Sequence, residues 1–184
     1  MSTFIVCMMK YILAICAVLS AVAFAGSARP AETPVNLQDK AMTSLTDEQA
    51  RAAIAPWYGL FNVASRGDVK AIQEQILTED YQSCSGHLPG ECWGRDTSIK
   101  VVSNFANTIP DMKFDIKEVL VAADRVIVRG EVTGTPSGEL FGVPHSGKSF
   151  RMMAIDIQTI KDGRIAKTFH MENWLSAIGQ LRAK

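Results

Sequence analysis

Ser149-Phe-Arg-Met-Met-Ala-Ile-Asp156-Ile-Gln-Thr-Ile160-Lys-Asp162-Gly163-Arg-Ile165-Ala-Lys-Thr-Phe169-His170-Met-Glu172 is the stretch on which the fold turns. Asp162-Gly163 is the dipeptide of a two-residue hairpin turn, whose central positions need positive φ. The arms on either side, Ser149 to Ile160 and Ile165 to Glu172, therefore read as paired antiparallel strands. Upstream, a period of two begins at Met112: Lys113 to Val121 sets Phe114, Ile116 and Leu120 against polar partners. Ala122-Ala-Asp124 turns the chain, and Arg125 to Thr135 returns as a second strand before a Gly/Pro-rich loop. Downstream, Trp174 to Leu181 reads as a short terminal helix.

The segment before these strands has a helical period. Thr46-Asp-Glu-Gln49 is a capping box. The helix it opens carries Ala50, Ala53, Ile54, Trp57, Tyr58 and Phe61 on an apolar stripe, with Pro56 expected to kink or split it. Ser65-Arg-Gly67-Asp68 reads as its stop, with Gly67 as C-cap. A second helix is predicted over about Val69 to Leu77, and a third from roughly Thr97 to Asn107. Helices first and an antiparallel meander afterwards make an α+β fold rather than alternating βαβ units.

The chain has 184 residues with 19 basic and 19 acidic side chains. That balance argues against a nucleic-acid binder, which carries a basic excess. Apolar residues make up 47%, enough for a core, but part of that share sits at one end. Lys10 is the only charge before Ala28, Tyr11 to Phe24 is uncharged, and Ala23-Phe24-Ala25 fits a secretory cleavage site. Residues 1–25 are thus expected to be a signal peptide, with a periplasmic or secreted product of net charge −1 and no membrane attachment after cleavage. The competing reading is an uncleaved anchor, since Phe4 to Phe24 approaches the ~20 residues that span a bilayer. Lys10 interrupts that stretch and favours cleavage. Residues 26–45 read as a flexible linker, and 46–184 as the domain.

Cys84 and Cys92 flank Ser-Gly-His87-Leu-Pro-Gly-Glu. In an oxidising compartment two cysteines around such a loop pair as a disulfide. The alternative, a metal site with His87, falls short of a closed ligand set.

Three further stretches carry a family resemblance: Ile109-Pro-Asp-Met-Lys-Phe-Asp-Ile-Lys-Glu-Val; Asp124-Arg-Val-Ile-Val-Arg129-Gly-Glu-Val-Thr-Gly134-Thr135, continuing in Gly138-Glu-Leu-Phe-Gly142-Val-Pro144-His-Ser-Gly147; and Ile155-Asp156-Ile, Asp162-Gly163-Arg-Ile and Phe169-His170-Met-Glu172-Asn-Trp174-Leu with Gln180-Leu181. In order and spacing they resemble the SnoaL-like polyketide (ester) cyclases of the nuclear transport factor 2-like superfamily, over about residues 46–182. The resemblance implies a cone-shaped barrel: a curved antiparallel sheet wrapped by N-terminal helices around a pocket. It implies intramolecular aldol ring closure of a small apolar carbonyl or ester compound, with no metal or organic cofactor. It also implies a homodimer formed through a sheet face. Such chemistry needs a base of raised pKa in an apolar cavity and donors aimed at a developing oxyanion.

The family has an acidic pocket residue where Asn173 stands, and Asn173 can donate a hydrogen bond but cannot act as a base. Replacement bases are Glu172, Asp156 and His170. Asp156, between Ile155 and Ile157, competes with a plain cross-strand pairing to Arg129 or Arg151. His170 has the pKa for acid/base work near neutrality. It competes with a half-exposed sheet or dimer-face role. Alternate side chains share a face, so Phe169, Met171 and Asn173 form one set and Thr168, His170 and Glu172 the other. Phe169 and Met171 join Trp57, Tyr58 and Phe61 as pocket-lining candidates, because the family has a large aromatic at Phe169. Arg129, mid-strand, is either turned outward or held inward by a carboxylate, as in the related epoxide-hydrolase branch. His87 and His145 are candidates for the pocket mouth. The second function class is a non-enzymatic module that holds a hydrophobic ligand. It predicts a dry pocket without a perturbed carboxylate.

Overall fold

The computed structural model describes residues 44–63 and 65–183. The expected signal peptide and all but the last two residues of the expected linker lie outside them. Leu45 already belongs to the domain: its N–H donates to Ala123 O (3.0 Å) and its side chain packs on the core.

The elements run α1 (Asp47–Gly59), α2 (Val69–Ile76), β1 (Leu77–Cys84), β2 (Cys92–Gly94), α3 (Arg95–Thr108), β3 (Lys113–Ala122), β4 (Arg125–Gly134), β5 (Phe150–Lys161), β6 (Arg164–Glu172) and α4 (Trp174–Arg182). The capping box forms as expected: Thr46 accepts from Gln49 N–H, and the Gln49 side chain accepts from Thr46 N–H at 2.9 Å. Pro56 lies inside α1 without splitting it. The helix ends at Gly59, ahead of the expected stop. Leu60, Phe61 and Asn62 tighten into three-residue bonds to Trp57, Tyr58 and Gly59, and Asn62 Oδ1 then accepts Phe114 N–H (3.1 Å). The chain is thereby diverted onto β3, and Gly67 is not a C-cap. Asp68 instead caps α2, accepting from Ala71 N–H at 3.0 Å.

The sheet order is β2-β1-β6-β5-β4-β3, curved and unclosed. It is mixed rather than purely antiparallel, because β1 runs parallel to β6. β1 and β2 were not anticipated. Leu77-Thr-Glu-Asp-Tyr81-Gln-Ser83 has too little apolar alternation to announce a strand, and its edge partner is only Cys92–Gly94. Cys84 and Cys92 face each other across this pair and are joined by the expected disulfide.

β5 alternates strictly. Phe150, Met152, Ala154, Asp156, Gln158 and Ile160 face the core, and the residues between them face outward. β4 matches it with Val126, Val128, Gly130, Val132 and Gly134 inward. Gly130 is required by its neighbour, because a β-carbon there would overlap the ring of Phe114. The helices lay Ala50, Ile54, Trp57, Tyr58, Val102 and Leu181 against this inner face.

Candidate active site

Between the inner face of the sheet and the helices lies a cavity of about 240 Å³. Trp57 of α1, Phe61 of the turn after it, Val102 and Phe105 of α3, Phe114 of β3 and Trp174 of α4 form its apolar walls. Phe141, from the loop between β4 and β5, also lines it. The strand side adds Ser83, Asp156, Thr168, His170 and Glu172. Among the described residues, no lysine or arginine contributes to the wall.

Asp156 is 5% exposed. Tyr58 OH donates to its Oδ2 at 2.7 Å, and Gln158 Nε2 donates to Tyr58 OH at 2.9 Å. Burial among apolar groups raises the Asp156 carboxyl from its ordinary 3.8 to about 6. The Tyr58 hydrogen bond opposes the rise, nearby Glu172 adds to it and His170 counteracts it. Burial, and then the negative charge of Asp156, raise Tyr58 well above its usual value, so its phenol stays a donor.

Across the ladder, His170 is the direct partner of Asp156, and Glu172 follows opposite Ala154. His170 Nδ1 donates to Glu172 Oε1 at 3.0 Å, while Nε2 is buried without a protein partner. Burial pulls the imidazole pKa down. The hydrogen bond and charge of Glu172, with the charge of Asp156, outweigh that and leave it raised. Trp93, next to the disulfide, sets its ring edgewise to the imidazole with centroids 5.5 Å apart. Asp156, His170 and Glu172 thus form one acid/base group on a largely apolar wall.

The parity of β6 decides which residues reach this wall. The ladder slips one residue at Ala166: Ile160 pairs with Ile165 but Thr159 pairs with Lys167. Ile165, Thr168, His170 and Glu172 therefore point inward despite the odd spacing. Phe169 and Met171 are on the opposite face, which corrects their expected place in the pocket. Phe169 packs against the His87 ring (5.4 Å) and under Lys167 Nζ (4.5 Å), and Met171 is 64% exposed.

Arg129 also lies outside the cavity, in an exposed ion pair with Glu118 at 3.0 Å. Arg151 reaches Glu131 at 3.4 Å, so neither arginine pairs with Asp156. Asn173 is the N-cap of α4, accepting from Ser176 N–H at 3.1 Å, and is absent from the wall. Of the three N-terminal aromatics, Trp57 and Phe61 line the cavity while Tyr58 acts behind the wall on Asp156. His145 is held by Pro136 O (2.9 Å) away from the cavity, and His87 is on the Phe169 face. Among the described residues no cluster of three or more His, Cys, Asp or Glu could hold a metal ion.

Sequence reasoning missed Ser83, Trp93, Ser98, Phe105, Phe141 and Trp174 as wall residues. Ser83 and Trp93 sit on the two unforeseen strands. Phe105 fits the apolar stripe of its helix, and nothing in the sequence separates core from cavity there.

The SnoaL-like polyketide cyclase family model matches residues 58–181. Among solved structures, TsrD from Streptomyces laurentii is 21% identical with a TM-score of 0.65, over 76% of this chain and 99% of its own. IdmH from Streptomyces antibioticus, named as a candidate polyketide cyclase, is 24% identical with a TM-score of 0.63, over 73% and 99%. A candidate SnoaL-like polyketide cyclase from Jannaschia sp. CCS1 is 17% identical with a TM-score of 0.65, over 80% and 99%. No curated protein matches the chain. At these identities the solved structures speak to the fold, and the family model speaks to the lineage: the chain belongs to the SnoaL-like polyketide cyclase family.

Proposed function

We propose that the domain is an exported, cofactor-independent acid/base enzyme that closes a ring in a small, neutral, apolar carbonyl or ester compound. One observation carries this reading: Asp156 is a buried carboxyl of raised pKa on the cavity wall, facing His170 across the ladder. A base of pKa about 6 is ionised at neutral pH yet basic enough to take a proton from carbon next to a carbonyl. In the proposed reaction Asp156 removes that proton, and the electron pair moves onto the carbonyl oxygen. His170 Nε2–H, which lacks a protein partner, donates to the resulting enolate oxygen. The enolate carbon then attacks a second carbonyl of the same molecule, and the new alkoxide recovers the proton from Asp156. Glu172 orients the imidazole through Nδ1 and favours its charged form. Asn173 has no part in this scheme.

A wall without lysine or arginine favours a neutral substrate over a carboxylate. The binding-module alternative predicts a pocket without a perturbed carboxylate, so Asp156 weighs against it. The test is cyclisation of an acyclic heptanedione whose two carbonyl groups can close a six-membered ring. The wild-type chain is expected to accelerate closure, and Asp156→Asn to lose about 10²–10⁴-fold of that rate. Equal rates for the two proteins would refute the assignment.

Export rests on residues 1–25 and is supported by the disulfide, a bond that persists in oxidising compartments. A mature N-terminus near Gly26, read by mass spectrometry, is the expected result, and an intact leader would contradict it.

A further inference from the structure

The loop joining β4 to β5 puts one aromatic residue into a backbone conformation that aromatic residues avoid. Leu140 and Val143 exchange both backbone hydrogen bonds, at 3.0 and 2.9 Å. Between them, Phe141 and Gly142 have φ of +49 and +75. Two positive φ values are the backbone of a type I′ turn, which selects Asn, Asp or Gly at its first central position. The same chain makes a comparable turn with the preferred residue: Asp162 and Gly163, at +51 and +74, join β5 to β6. A bulky side chain in this region strains against its own backbone, and such strain persists only where the surroundings impose it.

The surroundings of Phe141 show what imposes it. Its ring lines the cavity and meets Trp174 edge to face at 4.9 Å, yet the residue is 55% exposed. A side chain that contacts both the cavity and bulk solvent stands at the mouth between them. An unconstrained surface turn would carry Asn here, and a core aromatic would be buried. Trp174 is itself stacked on Phe105 at 5.9 Å, so the contact holding Phe141 is anchored to a wall of the site.

We propose that Phe141 is the specificity-determining gate of the cavity: the strained turn holds its ring at the mouth against Trp174 and sets the largest ligand that enters. The inference rests on the cavity being the ligand site but is independent of the chemistry assigned to Asp156.

The test measures dissociation constants for acetophenone, acetonaphthone and acetylanthracene, neutral ketones of one, two and three fused rings, by quenching of tryptophan fluorescence. The full chain is compared with Phe141→Asn and Phe141→Gly, both of which suit the turn. Both variants are expected to bind acetylanthracene at least about tenfold more tightly than wild type, with acetophenone changing less than about threefold. Neither should melt at a lower temperature than wild type, because the turn is relieved of strain. An unchanged preference across the three ketones would overturn the gate while leaving the cavity as the ligand site. Lower melting temperatures in both variants without a change in size preference would make Phe141 a packing residue only, also overturning the proposal. Failure of every protein to bind any ketone would overturn the ligand-site reading and the gate with it.

Discussion

Asp156 gains its character from burial and from Tyr58, His170 and Glu172, which lie at very different sequence distances. The flanking Ile155 and Ile157 point to an apolar setting in the sequence, but both face outward; the alternation of β5 turns Asp156 inward, where the cavity wall buries it. Its donor Tyr58 lies 98 residues upstream, on a different element, and no local pattern links the two. His170 and Glu172 were legible as candidates, but their inward direction was not. The raised pKa has a direct consequence for stability. Between about pH 4 and 6 the folded chain holds a proton on Asp156 that the unfolded chain has released. Stability contributed by this group therefore falls as pH rises through that interval and levels off above about 6. Asp156→Asn removes the cost, and at pH 7 it should raise unfolding free energy by about 2–3 kcal/mol. Urea titrations at pH 4 and pH 7 measure the effect. A variant no more stable than wild type at pH 7 would show that the carboxyl is not raised. His170 has the same sign: its pKa is also raised, so its contribution is present at low pH and is lost as pH rises through its own raised value.

At the scale of elements, the local signals that worked were those with a single physical cause. The Thr46–Gln49 capping box and the Asp162-Gly163 turn are where they were expected. The end of α1 was misplaced because Asn62 captures the β3 backbone, a tertiary contact that overrides the Gly67 signal. β1 and β2 escaped notice because an edge pair closed by a disulfide needs little apolar alternation. The bulge at Ala166 determines the side-chain set that reaches the cavity, and nothing in Ile165-Ala-Lys-Thr168 marks it. The inner layer is also sensitive where β4 runs beside β3. Gly130→Ala would drive a methyl group into Phe114, whose ring packs on Tyr58 at 4.6 Å between centroids. Thermal melting should show a loss of about 1–3 kcal/mol, as for an overpacked core. An unchanged melting temperature would mean that Phe114 moves freely, and the wall behind Asp156 with it.

On the scale of the whole molecule, the inner face of the sheet holds the cavity and the outer face carries exposed Leu120, Met153, Ile155, Ile157 and Met171. Met153, Ile155 and Ile157 alternate along β5 with the buried side chains, so exposing them is a consequence of the same register that positions Asp156. We propose that a second copy covers this face, giving the homodimer that the family resemblance implies. Sedimentation equilibrium should return twice the monomer mass, and Ile155→Lys should return the monomer. A wild-type monomer would refute the pairing.

The central claim is that Asp156 removes a carbon-bound proton inside the cavity. Incorporation of solvent deuterium beside the carbonyl groups of heptanedione, followed by NMR as a function of pH, tests it most directly. The wild-type rate should rise as Asp156 ionises through about pH 6, and the Asp156→Asn rate should stay at the level of buffer. Deuterium incorporation by Asp156→Asn as fast as by wild type would contradict it.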